Sequence, residues 1–204
     1  MLNIVNKFNP SNSPNPSNSL NQSNPLNKLN PCSFCPAHCC KNYIITVTAF
    51  DALRVCKNTG KKAEEFCSIE PAKLLSFDPD TTLDMKDDPF TYILAFKSHP
   101  CIFLGADNRC TIHNFAPLSC KRYPHKADKE SGSINARFCP AVSRLLFSVR
   151  KPDISLDQYL PELEAYKKIV KEWNANPGKK DACLGFLLEK VNSELAIHPF
   201  ESFV

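Results

Sequence analysis

Glycine and long apolar runs are both scarce in this sequence. Only five of its 204 residues are glycine, and none builds a glycine-rich loop after a predicted strand, which is the usual cradle for the phosphates of a nucleotide cofactor. No apolar run approaches the roughly 20 residues that a membrane-spanning helix needs. The opening MLNIVNKFNP lacks the apolar core of a secretory signal, because Asn3, Asn6 and Lys7 interrupt it. We therefore expect a cytoplasmic protein without membrane contact.

The sequence also lacks a strong excess of either positive or negative charge. The formal net charge is +4, from 25 Lys and Arg against 21 Asp and Glu, and the basic residues are scattered among the acidic ones. Proteins that bind nucleic acids gather their basic residues on one face or along one stripe. The sequence therefore argues against a nucleic-acid partner.

Cysteine, by contrast, is abundant, with 11 residues. The number is odd, so the cysteines cannot all pair within one chain. In a reducing cytoplasm, thiols serve metal binding or redox chemistry more often than disulfides. We therefore expect the cysteines to bind metal and keep disulfides as the alternative.

Eight of the cysteines form two groups, the first clustered as in a metal site and the second separated by longer gaps, with each member near a turn or proline. The first group is Cys32, Cys35, Cys39 and Cys40, and the second is Cys101, Cys110, Cys120 and Cys139. A Cys-x-x-Cys turn can direct two thiolates at one ion, and eight thiolates exceed the four that one tetrahedral zinc uses. Soft sulfur donors suit zinc and iron–sulfur clusters. We predict that all eight bind metal, and we favour an iron–sulfur cluster over Zn²⁺.

Separate predictions apply to the adjacent pair Cys39 and Cys40 and to the three remaining cysteines. If the chain is extended at Cys39 and Cys40, their side chains point to opposite sides, which favours a second metal or a cluster over a single ion. Cys56, Cys67 and Cys183 fall on apolar helical faces, and free cysteine behaves there as a small hydrophobic residue. We predict that these three belong to the core.

Composition divides the chain into a tail and one domain. Residues 1–31 are rich in Asn, Ser and Pro and have too little apolar surface to offset the entropy of ordering, so they are predicted to be disordered. Residues 32–204 are predicted to form a single α+β domain. We expect a metal core over 32–140, with short strands and a hairpin, and a helical cover over 153–197.

Local patterns predict the elements of this domain. A helix should begin at Thr48, where Asp51 completes a capping box, and end at Gly60. Periodic apolar residues predict helices over 156–173 and 183–191, with a kink or a fresh start at Pro161. We also predict a short helix over 61–68 and a loop over 70–89. Strands are predicted over 43–48, 89–96, 101–104 and 133–138, with a hairpin turn over 105–108.

The first cysteine group and the segments IITVTAFDALRV and CIFLGADNRCTIHNFAPLSCKRYP resemble the YkgJ-like cysteine-cluster family. That family is described as a zinc- or iron-chelating CxxCxxCC domain. The resemblance runs from Cys32 to Cys139 and implies metal-binding roles for the same eight cysteines. Family members commonly have Tyr where this chain has His113, and Arg where it has Ala116. If that Arg binds an anion or substrate, this chain has lost or moved that function.

The cysteine motif is also similar to that of flagellin lysine N-methylases, which implies an enzymatic alternative. In that interpretation an iron–sulfur centre would act with S-adenosylmethionine to methylate lysine, and His113 or Tyr123 would be a polar group near the metal. The common radical motif Cys-x-x-x-Cys-x-x-Cys is absent, since the spacings here are reversed. Two functions stay open: an accessory or redox carrier protein, acting alone or with a protein partner, and a cluster-dependent oxidoreductase or methyltransferase.

Overall fold

The computed structural model describes residues 36–72, 78–123, 156–198 and 200. Within these ranges, helices combine with a three-stranded antiparallel sheet of order β1-β3-β2, which confirms the α+β prediction. The elements are α1 (His38–Asn42), α2 (Ala49–Thr59), α3 (Ala63–Phe66), β1 (Cys67–Pro71), β2 (Leu83–Met85), β3 (Asp88–Phe96), α4 (Leu118–Arg122), α5 (Leu156–Ala175) and α6 (Lys180–Ile197), with 3-10 turns at Pro79–Thr81 and His113–Phe115.

Helix α2 begins and ends where its sequence signals predict. The Asp51 backbone N–H donates to Thr48 Oγ1 at 3.1 Å, and the Thr48 N–H donates to Asp51 Oδ2 at 2.9 Å, which completes the capping box. Gly60 ends the helix with φ 71°, a left-handed conformation that glycine adopts at no steric cost. Contacts between residues close in sequence therefore define both ends of the helix.

Removing this cap should destabilise the protein measurably. We expect Thr48→Ala to lower the free energy of unfolding by about 1 kcal/mol, because a helix N–H then loses its side-chain acceptor. Thr48→Ser is the matched control, since it keeps the hydroxyl. Urea unfolding of both variants measures the difference. An equal loss in the serine variant would assign the effect to packing of the methyl group instead.

Strand β3 is the centre of the sheet. It pairs with β1 from Tyr92 to Phe96 and with β2 from Asp88 to Tyr92. Beyond β2, the chain at residues 45–47 lies along the same edge: the Val47 N–H donates to Leu94 O at 3.0 Å, and the Phe96 N–H donates to Ile45 O at 2.9 Å. The strand predicted over 43–48 is therefore only a short extended segment, with a single bridge from Thr46 to Ala95.

Helices α5 and α6 pack against α2 and the sheet, as their apolar periodicity predicts. Buried residues of α5 include Tyr166, Ile169 and Trp173, and those of α6 include Cys183 and Leu187. The Trp173 indole Nε1 donates to Asp84 O at 2.7 Å and joins α5 to β2. Helix α5 passes through Pro161, so the helix does not start afresh at that residue. Among the described helices, none is both long and apolar enough to cross a membrane.

Three further predicted elements differ from the structure. Residues 101–104 form a turn and a single bridge rather than a strand, and the predicted helix over 61–68 is limited to Ala63–Phe66, because Cys67 already pairs with Phe96. The predicted loop over 70–89 contains β2, whose Leu83 and Met85 are buried. The strand predicted over 133–138 and the tail 1–31 lie outside the described residues.

Candidate metal centre

Five of the eight predicted ligand cysteines line one cavity of about 420 Å³. They come from three separate parts of the chain: α1, the turns after β3, and α4. The five are Cys39, Cys40, Cys101, Cys110 and Cys120. The other three, Cys32, Cys35 and Cys139, lie outside the described residues. The fold thus brings together thiols that are far apart in sequence.

Helix α1 presents two adjacent thiols to this cavity. Ala37 precedes the helix in a left-handed conformation, with φ 61° and ψ 40°, and its carbonyl accepts from the Lys41 N–H at 2.9 Å. The Sγ atoms of Cys39 and Cys40 lie 3.9 Å apart. The premise that the chain is extended at this pair is wrong. Both residues lie in α1, and successive side chains of a helix are only about 100° apart around its axis. Two sulfurs of a tetrahedral zinc site, with 2.3 Å bonds, lie about 3.8 Å apart, so this pair has the spacing of two ligands to one ion.

Cys101 is held beside the first group by its own backbone. Its N–H donates to Cys40 O at 2.7 Å. A tight turn then brings Cys110 back to pair with Leu104, and the Gly105 N–H donates to Arg109 O at 2.8 Å across that turn. A Cβ at Gly105 would lie 3.2 Å from the backbone oxygen of Arg109, so a larger residue would crowd this turn. Backbone bonds therefore place two cysteines of the second group next to the first.

Cys120 reaches the cavity on the short helix α4. The Leu118 N–H donates to Asp51 Oδ1 at 2.9 Å, which anchors the start of α4 on α2. The Ser119 hydroxyl donates to Thr46 O at 3.4 Å, which adds a weak bond to the extended segment. The position of Cys120 thus depends on contacts with an element that precedes it by more than sixty residues.

The thiols influence one another electrostatically. The hydrogen bond from Cys40 lowers the pKa of Cys39 to about 7, and the same bond raises the pKa of Cys40. Burial raises the pKa of Cys101, Cys110 and, most strongly, Cys120. Cys120 is an exposed residue that lines the cavity. A raised pKa favours the neutral thiol, and a bound cation would stabilise the thiolate form instead.

The thiol donors fit zinc or iron, although the described thiols are not arranged as a closed coordination site. Among the described residues, no three His, Cys, Asp or Glu side chains stand together in the arrangement that holds an ion. Thiolate sulfur is the donor that zinc and iron–sulfur clusters take in preference to harder cations. Binding an ion through the described thiols therefore requires movement of their side chains or ligands from outside the described ranges.

Two further polar residues that the sequence singled out also line the cavity. These are His113 and Tyr123. The remaining walls are largely apolar and include Ile45, Phe96 and Phe103. Such walls limit water near a metal and so influence its chemistry.

Sequence reasoning missed a buried ion network behind the cavity. Arg54 Nη1 lies 2.7 Å from Asp51 Oδ1, and Arg54 Nη2 lies 2.6 Å from Glu162 Oε2. The three residues are 2–3% exposed. Burial alone would lower the pKa of Arg54, but the two carboxylates raise it above its ordinary value. The available signal was a pair of opposite charges three residues apart among the apolar residues at the start of α2. Glu162, 108 residues beyond Arg54, gave no signal.

Residues 31–140 match a family model described as "CxxCxxCC: Putative zinc- or iron-chelating domain". The chain belongs to this family. The matched range contains all eight predicted ligands, and its description supports metal binding by the domain. No curated protein and no solved structure gives a significant match to the chain.

This member of the CxxCxxCC family departs from the spacing that the family name states. Three residues, 36–38, separate Cys35 from the Cys39–Cys40 pair, where the name has two. One of the three is Ala37, which is buried and has positive φ. Non-glycine residues in that conformation cost of order 1–3 kcal/mol and persist where the surroundings hold them. Helices α5 and α6 lie beyond the matched range.

Proposed function

We propose that this protein holds iron in an iron–sulfur cluster, or zinc, through the eight cysteines named above, and acts as an accessory or redox carrier protein. One observation carries the proposal: five cysteines from three separate segments line a single cavity within the range that the chelating family matches. Buried structural cysteines have no reason to share a cavity, whereas soft ligands of one centre must do so.

The number and surroundings of the thiols favour iron–sulfur over a lone zinc. Five described thiols already exceed the four ligands of a closed zinc site. Ile45, Phe96 and Phe103 make part of the cavity wall apolar, and solvent exposure is one of the properties that set a cluster's reduction potential. Bound there, a cluster would provide one-electron transfer. The chain's own residues would bind it, keep water away and, at Cys39 and Cys40, present two sulfurs from one helix.

Metal identity is the decisive measurement. Protein purified without oxygen should be brown, absorb in the visible range and contain iron and acid-labile sulfide in similar amounts. A colourless protein with stoichiometric zinc would establish the zinc form of the proposal instead. Elemental analysis together with a visible spectrum separates the two. Protein that is folded but contains neither metal, and takes up neither on reconstitution, would refute the proposal.

The cavity itself favours a second candidate function, an iron–sulfur-dependent enzyme such as a lysine methyltransferase. A volume of about 420 Å³ is more than an ion requires and lies within the ~300–1,000 Å³ of small-molecule sites. His113 and Tyr123 provide polar groups on its wall. The test is incubation of the metal-loaded protein with S-adenosylmethionine and a lysine peptide, followed by mass spectrometry. Methylated lysine that disappears in His113→Ala, with the metal content unchanged, would establish the enzyme.

A further inference from the structure

A continuous series of short polar contacts joins α5 to the helix that carries Cys120. Glu162 of α5 binds Arg54 at 2.6 Å, Arg54 binds Asp51 Oδ1 at 2.7 Å, and the same oxygen accepts from the Leu118 N–H at 2.9 Å. Leu118 is the first residue of α4, and Cys120 is the third. The series therefore ends one helical half-turn from a proposed ligand.

From this geometry we infer that Asp51, Arg54 and Glu162 are positioning residues for the metal centre, and that α5, beyond the family-matched range, is part of its support. The inference rests on the proposed function. It also implies that the metal-binding region and the C-terminal helices form one unit.

Asp51 is the branching point of the series. Its Oδ2 accepts from the Thr48 N–H at 2.9 Å and the Thr48 hydroxyl at 3.0 Å, while Oδ1 accepts from Arg54 and Leu118. Every one of these bonds goes to a charged carboxylate, and such bonds are shorter and stronger than neutral ones. The carboxylate thus ties the start of α2, the start of α4 and, through Arg54, helix α5 to one point.

The direction of the Asp51 carboxylate depends on Arg54, which in turn depends on Glu162. An arginine guanidinium is a planar fork that binds two carboxylates in fixed directions. If Glu162 loses its charge, the fork loses one of the two carboxylates that orient it. The bond from Arg54 to Asp51 Oδ1, the oxygen that also accepts from the Leu118 N–H, is then oriented less firmly. Groups that orient metal ligands from behind typically change metal affinity 10- to 100-fold when they are replaced. We expect a change near the lower limit, because Asp51 contacts the backbone of α4 rather than the sulfur.

The test is the rate at which the full-length, metal-loaded protein gives up its metal to an excess of chelator. Glu162→Gln removes the charge and preserves the shape, and it should release metal about tenfold faster than the wild type. Glu172→Gln is the charge-matched control, since Glu172 lies on the same helix and pairs with Lys190 at the surface. It should release metal at the wild-type rate.

Two further variants separate positioning from a general loss of stability. Cys183→Ala weakens the core on α6 without touching the series of contacts, so it should lower the unfolding midpoint and leave the release rate unchanged. In an Arg54→Met background, Glu162→Gln should have no additional effect on release, because its route to Cys120 is already broken.

The outcomes distinguish this inference from the proposed function. Equal acceleration in Cys183→Ala and Glu162→Gln, or an undiminished effect of Glu162→Gln in the Arg54→Met background, would overturn the positioning role. So would wild-type release from Glu162→Gln, and in that case the metal site itself would stand. Wild-type protein that never holds metal would overturn both.

Discussion

Replacement of Cys120 by alanine is expected to abolish stoichiometric metal binding and to unfold much of the structure around the cavity. In small metal domains the binding free energy is also folding free energy, about 10–16 kcal/mol for zinc-finger peptides. Natural domains are stable by only about 5–15 kcal/mol. Since the cavity is lined by cysteines from three segments, losing the metal removes the contact that they share. Elemental analysis and urea unfolding followed by circular dichroism measure the two effects.

A second cysteine provides the control. Cys183 is fully buried on α6 in the hydrophobic core, and it is not among the residues that line the cavity. Cys183→Ala should keep the full metal content and lower the free energy of unfolding by about 1 kcal/mol, because it deletes one buried atom. If Cys120→Ala also kept its full metal content, Cys120 would not be a ligand.

Elements fixed by local signals could be predicted from the sequence, and elements fixed by tertiary contacts could not. Helix α2 carries its own cap at Thr48 and its own end at Gly60, and the periodic apolar residues of α5 and α6 determine which faces are buried. Strand β2 has no such signal: Leu83 and Met85 stand among Pro and Asp residues, and it forms because β3 and Trp173 provide partners.

The same distinction applies to the site. Cysteine spacing alone indicated which thiols to expect at a metal centre, and five of them do line one cavity. The conformation at Cys39 and Cys40 could not be read from spacing, because the helix there begins with the left-handed Ala37. Nor could the ion network be predicted, since Arg54 and Glu162 lie 108 residues apart and nothing in the local sequence of either residue indicates so distant a partner.

Replacement of Arg54 by methionine is expected to lower the free energy of unfolding by about 3–5 kcal/mol, because it removes the cation that balances two buried carboxylates. Asp51 and Glu162 are each 2% exposed, so water cannot replace the lost guanidinium without opening the structure. Lys61→Met is the control: Lys61 and Glu65 pair at 3.9 Å on the surface, and such pairs contribute at most about 1 kcal/mol. Urea unfolding of metal-loaded protein compares the variants directly.

A double variant identifies the cause of that loss. Arg54→Met with Glu162→Leu also removes the carboxylate on α5 that has lost its cation, while Asp51 keeps its bonds from Thr48 and from the Leu118 N–H. It should therefore be more stable than Arg54→Met alone, as apolar replacement of whole buried ion pairs is often neutral or stabilising. If the double variant were no more stable, the lost free energy would belong to packing of the arginine stem rather than to uncompensated charge. Because Arg54 touches both carboxylates, recovery in the double variant would show that the charge balance of the network, and not the volume of its residues, holds α5 against α2.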